Sequence, residues 1–214
     1  MTADLFTLAA ADGVPALDVA LKGADLTRLH NADGESLYRF ALFHGHAKAA
    51  EAIKRHGGLG PHDAALAGDA ARVEALVGAA PWTIDLLSPD GWTTLHLAAF
   101  VGNDAAVETL LALGANARIM GRAFEQNLPI HAACAGRRIG KAAMIKLIAA
   151  TGDPDAKQKQ GYTALMIAAA NGFDAAVDTL LEAGADRSLA QGDGKTAGDI
   201  ARERGHAELA ARLA

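Results

Sequence analysis

A phrase of about a dozen residues recurs along this chain, and that recurrence constrains the fold more than any single motif does. A fixed period means small units that bury their apolar faces only by stacking on one another. The phrase reads Asp90-Gly91-Trp92-Thr93-Thr94-Leu95-His96-Leu97-Ala98-Ala99-Phe100-Val101-Gly102 in one place and Gly161-Tyr162-Thr163-Ala164-Leu165-Met166-Ile167-Ala168-Ala169-Ala170-Asn171-Gly172 in another. A degraded copy runs from Asp33 to Gly45. Each is followed by an apolar pattern and a Gly-Ala stop, as in Leu110-Leu111-Ala112-Leu113-Gly114-Ala115-Asn116 and Leu180-Leu181-Glu182-Ala183-Gly184-Ala185-Asp186. Gly45, Gly102 and Gly172 precede Gly57, Gly114 and Gly184 by one common interval.

Local chemistry accounts for the letters. The hydroxyls of Thr93 and Thr163 accept from free N–H groups and so start short helices. The alanine pairs let those helices sit close to their neighbours, and Gly102 and Gly172 end them in a left-handed conformation. A second helix is predicted from about Ala105 to Leu113, with Val107, Leu110 and Leu111 on one face, and Gly114 stops it. These segments are similar to the ankyrin repeat, whose motif is a turn, Thr-Pro-Leu-His at the first helix, and Gly-Ala-Asp after the second.

Weaker copies extend the resemblance over nearly the whole chain. Gly60-Pro61-His62-Asp63-Ala64-Ala65-Leu66 opens a unit whose hairpin is missing, because His62 follows Arg39 too closely. Leu128-Pro129-Ile130-His131-Ala132-Ala133 opens another, with about three extra residues before Gly140, and Gly194 to His206 resembles a polar closing unit. Residues 1–30 read as a shortened opening unit, with Pro15 starting its second helix and Gly23-Ala24-Asp25 ending it. The resemblance implies an all-α ankyrin solenoid of about six helix-turn-helix units with short β-hairpin or loop extensions. The expected organisation is one domain over 1–214, with units at 1–32 (partial cap), 33–56, 57–87, 88–121, 122–156, 157–189 and 190–214 (closing cap).

Composition narrows the function classes. Twenty basic residues against 25 acidic leave a net charge of −5, whereas a nucleic-acid binder carries a basic surplus. Alanine fills roughly a quarter of the chain, a bias that points to a bacterial source. One cysteine, Cys134, forms no internal disulfide. That count, an acid at Asp4 where a secretory leader has positive charge, and the lack of any long apolar stretch give a cytoplasmic expectation and no membrane span.

Several residues invite chemical readings that the repeat already explains. Asp193-Gly194-Lys195-Thr196 ends like a phosphate loop, yet Leu189 stands where such a loop requires glycine. His62, His96 and His131 read as equivalent positions, and the resemblance implies that they tie adjacent turns together. Stacked one per unit, they do not converge as a metal site demands. His44-Gly45-His46 is more open, with His44 facing the groove, but no carboxylate or cysteine is spaced to join it. Cys134 with His131 is the one thiol-enzyme alternative, and it lacks a third, orienting residue. The expectation is no enzyme, no cofactor and no metal.

By resemblance, the residue after each turn glycine and the two after Ala-Ala line the concave groove where ankyrin proteins bind partners. Those slots hold Trp92, Phe100 and Val101, then Tyr162, Ala170 and Asn171, with Glu35, Phe43 and His44 earlier and Leu66 and Ala67 between. Aromatics are favoured at interfaces because they bury large areas with few rotors to immobilise. Mutual packing of Phe100 and Trp92 would need no partner. Several aromatics aligned in nonadjacent units favour a binding surface. The expected anchors are Trp92, Phe100, Val101, Tyr162 and Phe43, with Asn171, Arg118 and Arg122 as polar contacts. The segment holding Arg118, Met120, Arg122 and Phe124 forms a second candidate patch. Trp82 is expected to pack into the turn that follows it. The function implied is binding of another protein by a chain that is monomeric when unbound. The alternative is an inhibitory or immunity-type partner that occludes an enzyme or toxin active site.

Overall fold

The computed structural model describes residues 4–11, 13–26, 29–122 and 126–214. Helices begin where the sequence supplies a cap. Thr93 Oγ1 accepts from the His96 backbone N–H (3.3 Å), while His96 Nδ1 accepts from the Thr93 N–H (3.3 Å), and helix α7 (Thr94–Val101) starts from this reciprocal pair. Thr163 and Ser36 cap α11 (Ala164–Ala170) and α3 (Leu37–Phe43) through their hydroxyls. Gly102 (φ 71°) and Gly172 (φ 61°) turn the chain out of α7 and α11 in the left-handed region that glycine tolerates.

Among the described residues the chain forms fourteen α-helices in seven consecutive pairs. The pairs are α1 (Leu5–Ala10) with α2 (Val14–Ala20), α3 with α4 (Ala47–His56), and α5 (Pro61–Leu66) with α6 (Ala70–Ala79). Then come α7 with α8 (Asp104–Ala112), α9 (Pro129–Gly136) with α10 (Lys141–Thr151), α11 with α12 (Asp174–Glu182), and α13 (Ala197–Glu203) with α14 (Ala207–Leu213). The architecture is an all-α solenoid, and α8 begins and ends one residue before the expected bounds.

First helices stack in order, α1 on α3 through to α11 on α13, and second helices pack beside them, as α6, α8, α10 and α12 do. One apolar core runs between the two layers. Leu95, Ile130 and Leu165 fill it from first helices and Leu110, Leu147 and Leu180 from second helices, all fully buried. The pairs Ala98-Ala99, Ala132-Ala133 and Ala168-Ala169 are equally sealed, since a methyl is all that the space between stacked helices admits. Turns closed by single antiparallel bridges precede α3, α7, α11 and α13, pairing His30 with Ser36, Leu87 with Thr93, Lys157 with Thr163 and Ala190 with Thr196.

Two irregularities shape the array. Between α4 and α5 only residues 57–60 intervene, so the turn that precedes α7 and α11 is missing there. Gly57 (φ 73°) and Gly58 (φ 75°) take the chain round this corner. Between α9 and α10 lie four residues, 137–140, where two, 102–103, separate α7 from α8. The insertion is thus two residues at this junction, not three.

Trp82 corrects an expectation. Pro81 opens a 3-10 turn over Pro81–Thr83, which swings the indole outward and leaves Trp82 73% exposed instead of packed into the next turn.

Candidate partner-binding trough

The first helices from α3 to α13 end at the same edge of the solenoid, so residues at their ends line a common trough. Phe43, Leu66, Phe100 with Val101, and Ala135 stand at or near the ends of α3, α5, α7 and α9. Together with Arg138 they line a hollow of about 690 Å³. Tyr162, Asn171 and Arg204 line a second hollow of about 380 Å³ beside it, and Ala135 borders both. Phe43 is 49% exposed, Phe100 is half-buried, and Val101 packs against the core. The Asn171 amide donates to the Ile167 carbonyl (2.9 Å), which fixes the orientation of its side chain.

The trough is built on close backbone packing. A Cβ added to Gly136 would stand 1.7 Å from the Phe100 carbonyl oxygen, so α9 approaches α7 only because position 136 has no side chain. A Cβ on Gly102 would stand 2.5 Å from the Arg138 backbone. The insertion is pressed against the preceding unit, where Gly140 N–H donates to Asp104 Oδ1 (2.9 Å).

The structure separates the other expected contacts from this trough. Trp92 stands half-buried, edge-on to the His96 ring (centroids 5.4 Å apart, 78° between planes). His44 pairs with Glu35 (3.3 Å) and lies against the Phe40 ring, outside both hollows. Arg118 Nε donates to the Thr151 carbonyl (2.9 Å) and so terminates α10. Met120 is exposed away from the hollows, and Arg122 borders a separate recess of about 380 Å³ with Asp90 and Gly91. Phe124 lies outside the described residues. Sequence reasoning missed Arg138 and Arg204 as lining residues. Their signals were the insertion, which had to emerge somewhere, and the polar closing unit.

The histidines hold the trough's backing. His96 Nε2–H donates to the Asn127 carbonyl (2.9 Å), and His131 Nε2–H donates to the Ala156 carbonyl (3.0 Å) while its Nδ1 accepts from Leu128 N–H (3.1 Å). One nitrogen donating and one accepting suits a neutral ring. Burial pushes both down to about 4. His62 is not their equivalent, which corrects the sequence alignment. Counted from the cap Gly60, the matching slot holds Asp63, and His62 sits one residue earlier, though its Nε2–H still reaches the Leu86 carbonyl (3.1 Å).

A charged cluster occupies the place of the missing turn. Arg39 stands in the slot where α7 has His96, is only 2% exposed, and forms an ion pair with Asp90, which belongs to the turn before α7. Asp63 Oδ1 accepts from Ser36 Oγ (2.8 Å). Burial raises the Asp63 carboxyl, opposed by the Ser36 hydrogen bond and Arg39. A cavity of about 190 Å³ opens beside these groups.

Cys134 is fully buried, and burial drives its thiol up to about 12, so no thiolate forms there near neutral pH. Both His131 ring nitrogens are engaged with backbone groups. Among the described residues no cluster of three metal-ligating side chains is present, and no helix is long and apolar enough to cross a membrane.

Comparison with known families gives two matches. A model described as the ankyrin repeat matches residues 90–122, and one described as ankyrin repeats, in three copies, matches residues 130–214. Together these span more than half of the chain. No curated protein matches the chain significantly.

Proposed function

The chain belongs to the ankyrin-repeat family, and from that premise we propose that it is a non-enzymatic module that binds a partner protein in the trough between Phe43 and Asn171. Ankyrin repeats are in general protein–protein interaction modules. What supports the trough in particular is its lining. Phe43, Leu66, Phe100 and Val101, from three successive units, converge on one hollow of about 690 Å³. Folding leaves about half of Phe43 exposed, and that remaining apolar surface gains from a partner that covers it. The rigid stacking behind it means that little conformational entropy is lost on association.

We place the protein in the cytoplasm as a monomer when unbound. Its single, sealed thiol is in keeping with a reducing compartment.

The test is affinity capture from the native host with the wild-type chain beside Phe43→Ala/Phe100→Ala. Both baits are first matched by circular dichroism and urea midpoint, and the captured protein is then titrated in purified form. A loss of about 100-fold in affinity is expected for the double variant. Equal affinity for both baits refutes the trough. An occluding inhibitor would dock in the same place, and assaying the partner's own activity with the chain present separates it from an adaptor.

A further inference from the structure

The trough changes character along its length. At one end its lining is apolar, with Leu42, Phe43, Leu66, Phe100 and Val101. At the other, each hollow holds one arginine, Arg138 in the first and Arg204 in the second, both exposed. Among the described residues no aspartate or glutamate lines either hollow, although the chain as a whole carries a charge of −5.

Several cations outside the trough are matched. On the layer of second helices Lys146 pairs with Glu108, Lys141 with Glu182, Arg55 with Asp18, and Arg212 with Asp174 and Asp178, each pair linking one unit to the next. Arg138 and Arg204 have no such carboxylate among the described residues. An arginine presents a planar fork suited to carboxylates, so two unmatched ones in a trough free of acids form half of a complementary surface.

We propose that the trough recognises an acidic protein surface, with apolar side chains seated between Phe43 and Phe100 and carboxylates meeting Arg138 and Arg204. This deepens the partner-binding reading and rests on it. The two arginines follow first helices two units apart, Arg138 in the insertion after α9 and Arg204 at the cap of α13. The span is about 20 Å at the usual helix spacing. That corresponds to roughly six residues of extended chain. A nucleic acid is disfavoured, because two arginines neutralise few phosphates, the apolar half offers them nothing, and the net charge repels a polyanion.

The test measures binding of a fluorescein-labelled random copolymer of glutamate and tyrosine by anisotropy, with polyglutamate and a single-stranded oligonucleotide as further probes. Proteins compared are the wild type, Arg138→Glu/Arg204→Glu, Phe43→Ala/Phe100→Ala, and Arg55→Glu/Lys146→Glu, which makes the same change in charge on the opposite layer. All are first shown to be folded by circular dichroism. The expected result is that the copolymer binds the wild type, that each trough variant weakens it at least tenfold, and that the opposite-layer variant leaves it within twofold. Polyglutamate should respond to the arginine pair alone. Copolymer binding lost with the phenylalanines but indifferent to the arginines overturns the acidic ligand and leaves the trough standing. Indifference to both pairs, or no copolymer binding, overturns the proposal, and the first of these also counts against the trough. An oligonucleotide bound more tightly than the copolymer, and released by the arginine reversal, overturns it in favour of nucleic acid.

Discussion

The unit that lacks its turn and the two units after it solve one packing problem with opposite chemistry. Behind α7 and α9, a neutral histidine reaches from the first helix to a backbone carbonyl of the turn that follows. Behind α3 that next turn does not exist, and a histidine would have nothing to reach. Arg39, in the same slot, is longer and spans the gap to Asp90, one unit further on, with Asp63 beside it. Turn Gly34 also approaches turn Pro89 so closely that an added Cβ would stand 2.9 Å from the proline Cβ. A missing segment is therefore compensated by a charge pair and a close turn contact, not by neutral hydrogen bonds. Charge pairs in such places cost more to break than to do without.

The largest effect that would sharpen this contrast is the loss of Arg39. Arg39→Ala leaves Asp63 and Asp90 without their counter-ion and should cost about 4 kcal/mol. His96→Ala, which removes neutral hydrogen bonds, should cost about 2 kcal/mol. Urea denaturation at pH 7 measures both, and equal losses would erase the distinction.

Acid should act chiefly on the histidine side. Above pH 6.5 the His96 and His131 rings are neutral whether the chain is folded or unfolded, so they add no pH dependence. Below it the unfolded chain takes up protons that the folded one refuses until about pH 4. Stability should then fall between pH 6.5 and 4, each ring subtracting on the order of 3 kcal/mol. His96→Gln/His131→Gln should flatten the profile over that window, and an unchanged slope would mean that other groups set it.

A third pair compares two glycines with the same role. Gly102→Ala meets the Arg138 backbone and should cost about 3 kcal/mol. Gly68→Ala, with a similar φ of 78° but nothing near its added Cβ, should cost about 1 kcal/mol. Thermal unfolding ranks them. The smallest effect belongs to Asp63→Asn. The folded-state carboxyl is raised, so ionising it at pH 7 works against folding, and the amide should gain about 0.5 kcal/mol at pH 7 and nothing in acid. A loss at pH 7 would show that Arg39 depends on this charge.

Local rules made the helix starts, the left-handed glycines and the solenoid legible in the sequence, because Thr93, Thr163, Gly102 and Gly172 act on neighbours within four residues. The reach of His96 and His131 to the next turn was legible only through the resemblance to the ankyrin repeat, which implied that they tie adjacent turns together. In sequence His62 reads as the occupant of the slot that Asp63 fills, because Gly60 and Pro61 set the count for that helix and the missing turn removes the landmark that would show it. The role of Arg39 depends on Asp90, far along the chain, and no local pattern connects them. Trp82 turns on the direction imposed by Pro81, and Arg138 on the left-handed turn at Arg137 (φ 61°), which aims the insertion into the trough. Where a side chain points after an irregular turn is a property of the whole array.

The bond from Arg39 to Asp90 skips a unit. Stacked repeats ordinarily behave like a zipper, each tooth gripping only its neighbours, so an end frays one tooth at a time. A stitch between the second tooth and the fourth ties the one between them into a single block. From the amino-terminal side, peeling should then stop at α3 until the block from α3 to α8 lets go together.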